Sequence, residues 1–86
     1  MAGTFQLQIA TPEQLLVDEQ VTSAQIPGQE GYMGILPGHA PLLSALKAGL
    51  LTYEGGGGPH KIQIDGGFVE VFDDHVRVLA DSASVE

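Results

Sequence analysis

The chain has 86 residues, no cysteine and a formal net charge of −8, because 11 Asp and Glu outnumber 3 Lys and Arg. This length is sufficient for one domain with one modest core, and the lack of cysteine excludes disulfides and thiolate chemistry. The shortage of cations predicts no nucleic-acid partner and no attraction to an anionic membrane, since both contacts require positive side chains.

Neither membrane insertion nor export is predicted. The apolar runs fall short of the roughly 20 residues that a membrane helix needs. Residues 1–4 carry no basic side chain and lead into no long apolar stretch, so a signal peptide is not expected. Any membrane association is therefore expected to come through a partner.

Apolar and polar residues alternate with a period of two in several segments, which is the pattern of half-buried strands. The segment 68–72 carries Val69 and Val71 on one face and Phe68 and Phe72 on the other, so its ends are expected to be buried on both faces. The predicted strands are 5–9, 15–18, 21–26, 32–36, 42–46, 50–54, 61–65, 68–72 and 76–80.

Turn-forming residues separate these strands and set the fold class. Short strands that recur roughly every 8–12 residues, with turns between them, predict an all-β sandwich or barrel. Residues 42–47 also fit one helical turn, but so few residues between Pro41 and Gly49 favour a strand. The Asp-Gly-Gly segment at 65–67 leaves two interpretations open: a hairpin turn, or a bend inside one long strand where glycine lets another backbone approach closely.

The four glycines at 55–58, followed by Pro59, His60 and Lys61, invite comparison with a phosphate-binding loop. That motif needs a Gly-Lys-Ser/Thr end that opens a helix. Here Ile62 follows the lysine and predicted strands flank the run. A hairpin loop is the better interpretation.

The three histidines, His39, His60 and His75, are far apart in the sequence and close to three predicted turns. A zinc site needs three or four converging ligands, usually with one pair close in sequence. No serine stands in a nucleophile motif beside a histidine base and an orienting acid. The sequence therefore predicts no catalytic residue, no metal and no cofactor.

The segment 27–41 is unusual because it holds three of the 5 prolines and four glycines. These residues restrict or bend the backbone and predict two shaped loops around a short strand. Two interpretations stay open at this point. The segment forms either tight turns that flank a core strand, or a loop surface that recognises a partner protein.

Residues 30–43, Glu-Gly-Tyr-Met-Gly-Ile-Leu-Pro-Gly-His-Ala-Pro-Leu-Leu, resemble the signature of the epsilon subunits of F-type ATP synthases, called delta in mitochondria. Other segments resemble the same family, with Ala48 where the family has proline, so the resemblance covers essentially the whole chain. It implies a flattened β-sandwich or barrel of about ten short antiparallel strands within residues 1–86. The additional matching segments are 5–13, 47–49, 66–71 and 76–81.

The resemblance also implies a role in assembly without catalysis. Members of the family bind the foot of the gamma subunit and the polar loops of the membrane rotor (c) ring, turn with them and help couple ion flow to ATP synthesis. The chain is accordingly expected at the cytoplasmic face of the inner membrane, as a peripheral protein held there only through the complex. Carried over by position, the rotor-ring contacts are Glu30, Gly31, Tyr32, His39 and Ala40, and the gamma contacts are Thr11, His39, Leu42, Leu43 and Ser44.

Two departures from the family pattern affect these expectations. Many members carry a second acidic residue where this chain has Tyr32, which favours packing or a hydroxyl bond over a charge pair there. Typical bacterial members continue into a hairpin of two helices that restrains ATP hydrolysis and in some members binds ATP. The sequence ends at Glu86, where that hairpin would begin, so this regulation and a nucleotide site are not expected.

Two other functions compete with that of a rotor subunit. A free-standing β-sandwich that binds a small ligand or peptide would need a deep pocket lined by Phe5, Tyr53, Phe68 or Phe72. A small barrel enzyme of the cupin type would need His and Glu ligands clustered on neighbouring strands, whereas the histidines are expected at turns.

Overall fold

The computed structural model describes residues 3–86. Met1 and Ala2 lie outside the described residues, and with them the start of the predicted domain and of the segment considered as a signal peptide. Ten strands and no helix occur between residues 3 and 86, which confirms the all-β prediction. The strands are β1 (Phe5–Ala10), β2 (Leu15–Val21), β3 (Ser23–Gly28), β4 (Gly31–Ile35), β5 (Leu42–Leu46), β6 (Gly49–Glu54), β7 (Pro59–Ile64), β8 (Gly67–Phe72), β9 (His75–Ala80) and β10 (Ala83–Val85).

The ten strands belong to one sheet that curls around its core into a sandwich. Neighbouring strands follow the order β10-β7-β6-β3-β5-β8-β9-β1-β2, and β4 pairs with β3. Strand β3 joins the two halves of the sheet. Its first residues pair with β6, as Ala24 does with Tyr53, and its last residue, Gly28, pairs with Leu46 of β5.

One pair of strands corrects the expectation that all strands are antiparallel. Strands β1 and β9 run parallel, with Gln6 opposite His75 and Ala10 opposite Leu79. A parallel pair requires a long crossover instead of a hairpin, and most of the domain lies between these two strands. Alternation within a strand carries no information on its direction relative to a neighbour, so the sequence pattern could not reveal this pair.

The inward-facing residues of the strands form one hydrophobic core. In β9 burial alternates residue by residue, as the period-two pattern predicted. Full burial of a large aliphatic side chain contributes roughly 1.5–3 kcal/mol, so this core is the main source of stability. Its most completely buried large side chains include Phe5, Leu7, Ile9, Ile26, Ile35, Leu51, Ile62 and Ile64.

Of two short strands, β5 was predicted from the sequence and β10 was not. Residues 42–46 form strand β5, which pairs with β8, so the preference for strand over helix is confirmed. Strand β10 was not predicted from the sequence. It has three residues and pairs with β7, Ala83 lying opposite Ile64. So short a strand shows no alternation, and only its tertiary pairing reveals it.

The segment 65–67 connects strands that are not neighbours. Strand β7 ends at Ile64 and pairs with β6 and β10, whereas β8 begins at Gly67 and pairs with β5 and β9, so a hairpin turn is the wrong interpretation. Gly67 has a φ of +121°, and a Cβ placed on it would lie 2.0 Å from the carbonyl oxygen of Leu79. The close backbone approach that glycine was expected to permit is confirmed, but the expected single long strand is wrong, because β7 and β8 are separate strands with different neighbours.

Candidate interaction surface

The outer face of β5, β8 and β9 exposes large apolar side chains. Phe68 lies directly opposite Leu79, and Leu43 lies opposite Glu70 one row further along. Residues paired in this way project to the same side of the sheet. We call Leu43, Phe68, Phe72 and Leu79 the apolar face. Their exposed fractions are 74%, 57%, 63% and 53%, respectively, and a group of exposed large apolar side chains on one face is typical of an interaction site.

This arrangement corrects the expectation that the ends of β8 are buried on both faces. Val69 and Val71 are in the core, but Phe68 and Phe72 point outwards. A strand with apolar residues on both faces has the same pattern whether the second face packs within the chain or against a partner. The apolar face was therefore not identified from the sequence, although its residues were visible there.

The polar residues beside the apolar face form a bonded network. Glu70 and Arg77 pair at 3.7 Å in the exposed middle row, and Arg77 Nε donates to Gln8 Oε1 at 3.3 Å. Gln6 continues the polar surface and donates to Asp18 of β2. An ion pair this exposed contributes roughly 0–1 kcal/mol, so its main effect is on charge placement. The exposed apolar residues thus lie on β5, β8 and β9 around the Glu70–Arg77 pair, and the outer surface of β1 and β2 is polar.

Several open hollows border the apolar face, including one of about 340 Å³ between Phe72 and Arg77. A second, of about 370 Å³, lies between Gly38–Pro41 and Phe72–Asp74. A third, of about 340 Å³, has Thr11 and Pro12 on one side and Phe68 and Leu79 on the other. A fourth, of about 510 Å³, lies between residues 28–33 and 43–45. These concave margins would let a partner's side chains enter around the exposed apolar residues.

Residues 36–41, which we call the His39 loop, lie at the Phe72 end of the apolar face. The His39 amide donates to the carbonyl oxygen of Leu36 at 3.1 Å, which closes a local turn. The Gly38 amide donates to Asp74 Oδ1 at 2.7 Å, and Gly38 has a φ of +84°. The His39 ring Nδ1 lies 2.8 Å from the carbonyl oxygen of Ala40. The loop is therefore both bent locally and tied to the turn after β8.

Residues 28–32, which we call the hairpin tip, connect β3 to β4. Backbone bonds tie this hairpin to the end of β5 and the turn after it: the Gln29 amide donates to the oxygen of Ala45 at 3.2 Å, and the Lys47 amide donates to that of Pro27 at 3.0 Å. The Tyr32 hydroxyl adds a third bond by accepting the Leu50 amide at 3.0 Å. The tip is thus held rigidly, with Glu30 exposed at its apex.

Replacement of Tyr32 by phenylalanine should lower the free energy of unfolding by up to about 1 kcal/mol, because the exposed Leu50 amide loses its acceptor while the ring keeps its packing. The Leu50 amide should exchange its hydrogen faster in Tyr32→Phe, as native-state exchange measured by NMR would report. The Thr22 amide, which donates to Glu54 O at 2.8 Å in another corner, should be unaffected. Unchanged exchange at Leu50 would show that the hydroxyl does not hold this bond in solution.

The five residues predicted to contact the rotor ring do not lie at one end of the domain. Glu30, Gly31 and Tyr32 precede or begin β4, whereas His39 and Ala40 follow its far end. A five-residue strand separates its ends by roughly 13 Å. The structure therefore places the first three at the hairpin tip and the other two beside Phe72.

Three of the five predicted gamma contacts lie on or beside the apolar face, and two do not. Leu43 lies on the apolar face, and Thr11 and His39 line hollows beside it. Leu42 packs against the core instead, and Ser44 is half-buried on the wall of the hollow beside the hairpin tip. The sequence analysis did not identify Phe68, Phe72 and Leu79 as contact residues. The signal available in the sequence was that each is a large apolar residue at a position that the alternating pattern assigns to the outer face of its strand.

An aromatic pair lies beside the β6–β7 hairpin, on the wall of an open hollow of about 310 Å³. Glycines 55–58 close the predicted β6–β7 hairpin, and beside it the rings of Tyr53 and His60 stack with centroids 4.9 Å apart. Burial raises the pKa of the Tyr53 hydroxyl above its ordinary value, and the charge and hydrogen bonding of Glu19 raise it further. His60 also bonds to the oxygen of Gly55 at 3.0 Å, so this cluster fixes the hairpin.

The competing functions find little support in the part of the chain that the structure describes. Phe5 and Tyr53 are core residues, while Phe68 and Phe72 are exposed on the outside, so these four do not line one pocket. His60 lies within β7 and His75 begins β9, so neither is in a turn, and within residues 3–86 no three His, Asp or Glu side chains gather as a metal site. The same residues contain no helix long and apolar enough to cross a membrane.

Fold and surface together define a class: a small acidic β-sandwich whose exposed apolar face and shaped end loops suit docking to another protein. A family profile described as "ATP synthase, Delta/Epsilon chain, beta-sandwich domain" matches residues 4–86. The chain belongs to this family.

Individual relatives agree with the profile. The chain is 58% identical over 83 residues to the ATP synthase epsilon chain of Solibacter usitatus, and 46% identical over 83 residues to that of Desulfitobacterium hafniense. These matches cover 96% of the chain but only 62% and 63% of the two relatives. The chain thus spans less than two thirds of the length of the curated relatives it matches.

Solved structures agree on the fold. A chain in the OSCP/F1/c-ring structure of the Euglena gracilis mitochondrial ATP synthase superposes with a TM-score of 0.88 at 30% identity, covering 95% of this chain and 53% of that one. A chain in the central stalk/c-ring structure of the Tetrahymena thermophila enzyme has a TM-score of 0.78 at 16% identity, covering 92% of this chain and 64% of that one. The second match supports the fold alone.

Proposed function

We propose that this chain is a non-catalytic rotor subunit of the central stalk of an F-type ATP synthase. It docks the gamma subunit onto the membrane rotor ring and so helps couple ion flow to ATP synthesis. The observation that carries the proposal is the apolar face, an exposed surface without a covering element among the described residues, on a domain of the delta/epsilon family. Its partners are the gamma subunit and the ring, and the proposal requires no cofactor.

The apolar face is the proposed gamma-docking surface. Leu43 and Phe72 are the most exposed of its four residues, and burial of side chains this large contributes roughly 1.5–3 kcal/mol each. Thr11 and His39 would contact gamma from the bordering hollows. The formal charge of −8 further requires that the docked surface of gamma be neutral or basic.

The hairpin tip is the proposed ring-docking surface. Glu30, Gly31 and Tyr32 lie together there, and the three bonds to β5, β6 and the turn between them supply the rigidity that force transmission between subunits needs. His39 and Ala40 border the apolar face, so we assign them to gamma instead of the ring. Docking through these two surfaces would hold the chain as a peripheral protein at the cytoplasmic face of the inner membrane.

Binding of the chain to purified gamma subunit, measured by isothermal titration calorimetry, tests the proposal. The double variant Leu43→Ser/Phe72→Ser should bind at least roughly tenfold more weakly, since it removes two large apolar contacts. Its melting temperature should stay close to that of the wild type, because both residues are exposed. Val85→Ser, which changes a residue 70% exposed on β10 at the far end of the strand order, is the matched control and should bind normally.

Two results would count against the proposal. Failure of the wild-type chain to bind gamma at micromolar concentration would remove the docking role itself. Equal weakening by Val85→Ser and by the double variant would leave the docking role but place it elsewhere on the surface.

A further inference from the structure

The turn between β8 and β9 is built from two aspartates in a left-handed conformation. Asp73 and Asp74 have φ values of 52° and 57°, and Phe72 pairs with His75 across them. A two-residue hairpin turn with both φ values positive fits the twist of the strands it joins. The turn therefore presents both carboxylates on short, fixed stems beside the apolar face.

The two carboxylates have different surroundings. Asp74 Oδ1 accepts the amide of Gly38 at 2.7 Å, which links the turn to the His39 loop across 36 positions of sequence. A bond from a backbone amide to an ionised carboxylate is stronger than one between neutral groups. The bonds of His39 with Leu36 and Ala40 are local to the loop. The Asp74 carboxylate is thus the side chain that fixes the loop to the sheet.

We propose that Asp74 is a positioning residue for docking: its carboxylate holds the His39 loop in the conformation that gamma binds. This inference rests on the proposed function, because it assumes that the His39 loop and the apolar face contact gamma together. A loop already fixed in its bound conformation loses less conformational entropy when the partner binds. Without the carboxylate the loop would have to become ordered at the moment of docking, and affinity would fall.

Asp74→Gly tests this with little disturbance to the turn, since glycine tolerates the positive φ that Asp74 adopts. Asp73→Gly is the matched control, because it makes the same change in the same turn and removes the same charge. Asp74→Gly should weaken gamma binding roughly three- to tenfold more than Asp73→Gly does, as the entropy of ordering a loop predicts. Asp74→Asn, which keeps an acceptor oxygen at the same position, should restore most of the affinity.

Two further readouts separate positioning from a general loss of stability. The melting temperatures of the two glycine variants should agree within a few degrees, while the Gly38 amide should exchange its hydrogen faster only in Asp74→Gly. Equal gamma affinity of Asp74→Gly and Asp73→Gly would overturn the inference and leave the docking role intact. Absence of gamma binding by the wild-type chain would overturn both.

Discussion

Gly67→Ala should destabilise the domain by more than about 3 kcal/mol, because the added methyl group has no space in the folded backbone. A Cβ at this position would lie 2.0 Å from the carbonyl oxygen of Leu79 and 2.8 Å from the Cα of Ala80. Both are backbone atoms of β9, held by the pairing of Gly67 with Ala80, so no flexible side chain can move aside. Relief of the clash would require β8 and β9 to separate at this row.

Gly31→Ala separates the clash from the strain of a positive φ. Gly31 has a φ of +133°, close to the +121° of Gly67, but no atom lies within 4 Å of its Cβ position. This control should lose only about 1–3 kcal/mol, the cost of an unfavourable backbone conformation. Urea titrations followed by far-UV circular dichroism compare the stabilities of the two variants. A Gly67→Ala chain that does not show the circular dichroism signal of the folded domain even without urea would agree with the predicted large destabilisation. Equal losses of unfolding free energy in the two variants would mean that β9 moves to accommodate the added methyl group at little cost.

The sequence was informative where one face of a strand meets the core. In β1 and β9, buried residues such as Leu7 and Val78 alternate with polar or exposed neighbours, so pattern alone located both strands. The same pattern does not show which strands pair with each other. Contacts between distant segments determine three features of the sheet. These are the parallel pairing of β1 with β9, the pairing of the three-residue strand β10, and the pairing of β3 with β5 as well as with β6.

The docking surface was only partly predictable for a related reason. The Pro- and Gly-bounded loops around β4 were identified because their residues restrict the backbone locally. The apolar face was not, since Phe68 and Phe72 are explained equally well by a second buried face within the chain. Only the fold shows that no other described strand covers them. The bond from Gly38 to Asp74 has no local signal in the sequence, because it joins two turns brought together by the pairing of β5 with β8.

Ile64→Ala should lower the free energy of unfolding by about 2–5 kcal/mol, because it removes three buried carbons and leaves a cavity between packed strands. Ile64 is fully buried on β7, with Gly49 opposite it on β6 and Ala83 opposite it on β10. Neither neighbour has a side chain long enough to fill the space. For a domain of this size each kcal/mol shifts the melting temperature by roughly 4–8 °C, so a fall of about 10 °C or more is expected.

Gln63→Ala provides the comparison within the same strand. Gln63 is exposed on the opposite face of β7, and its replacement should change the free energy of unfolding by no more than about 0.5 kcal/mol. The contrast tests the register as well as the core, since a shift of β7 by one residue would exchange the two faces and reverse the order of the effects. A larger loss from Gln63→Ala than from Ile64→Ala in urea titrations would therefore refute the register of β7 against β6.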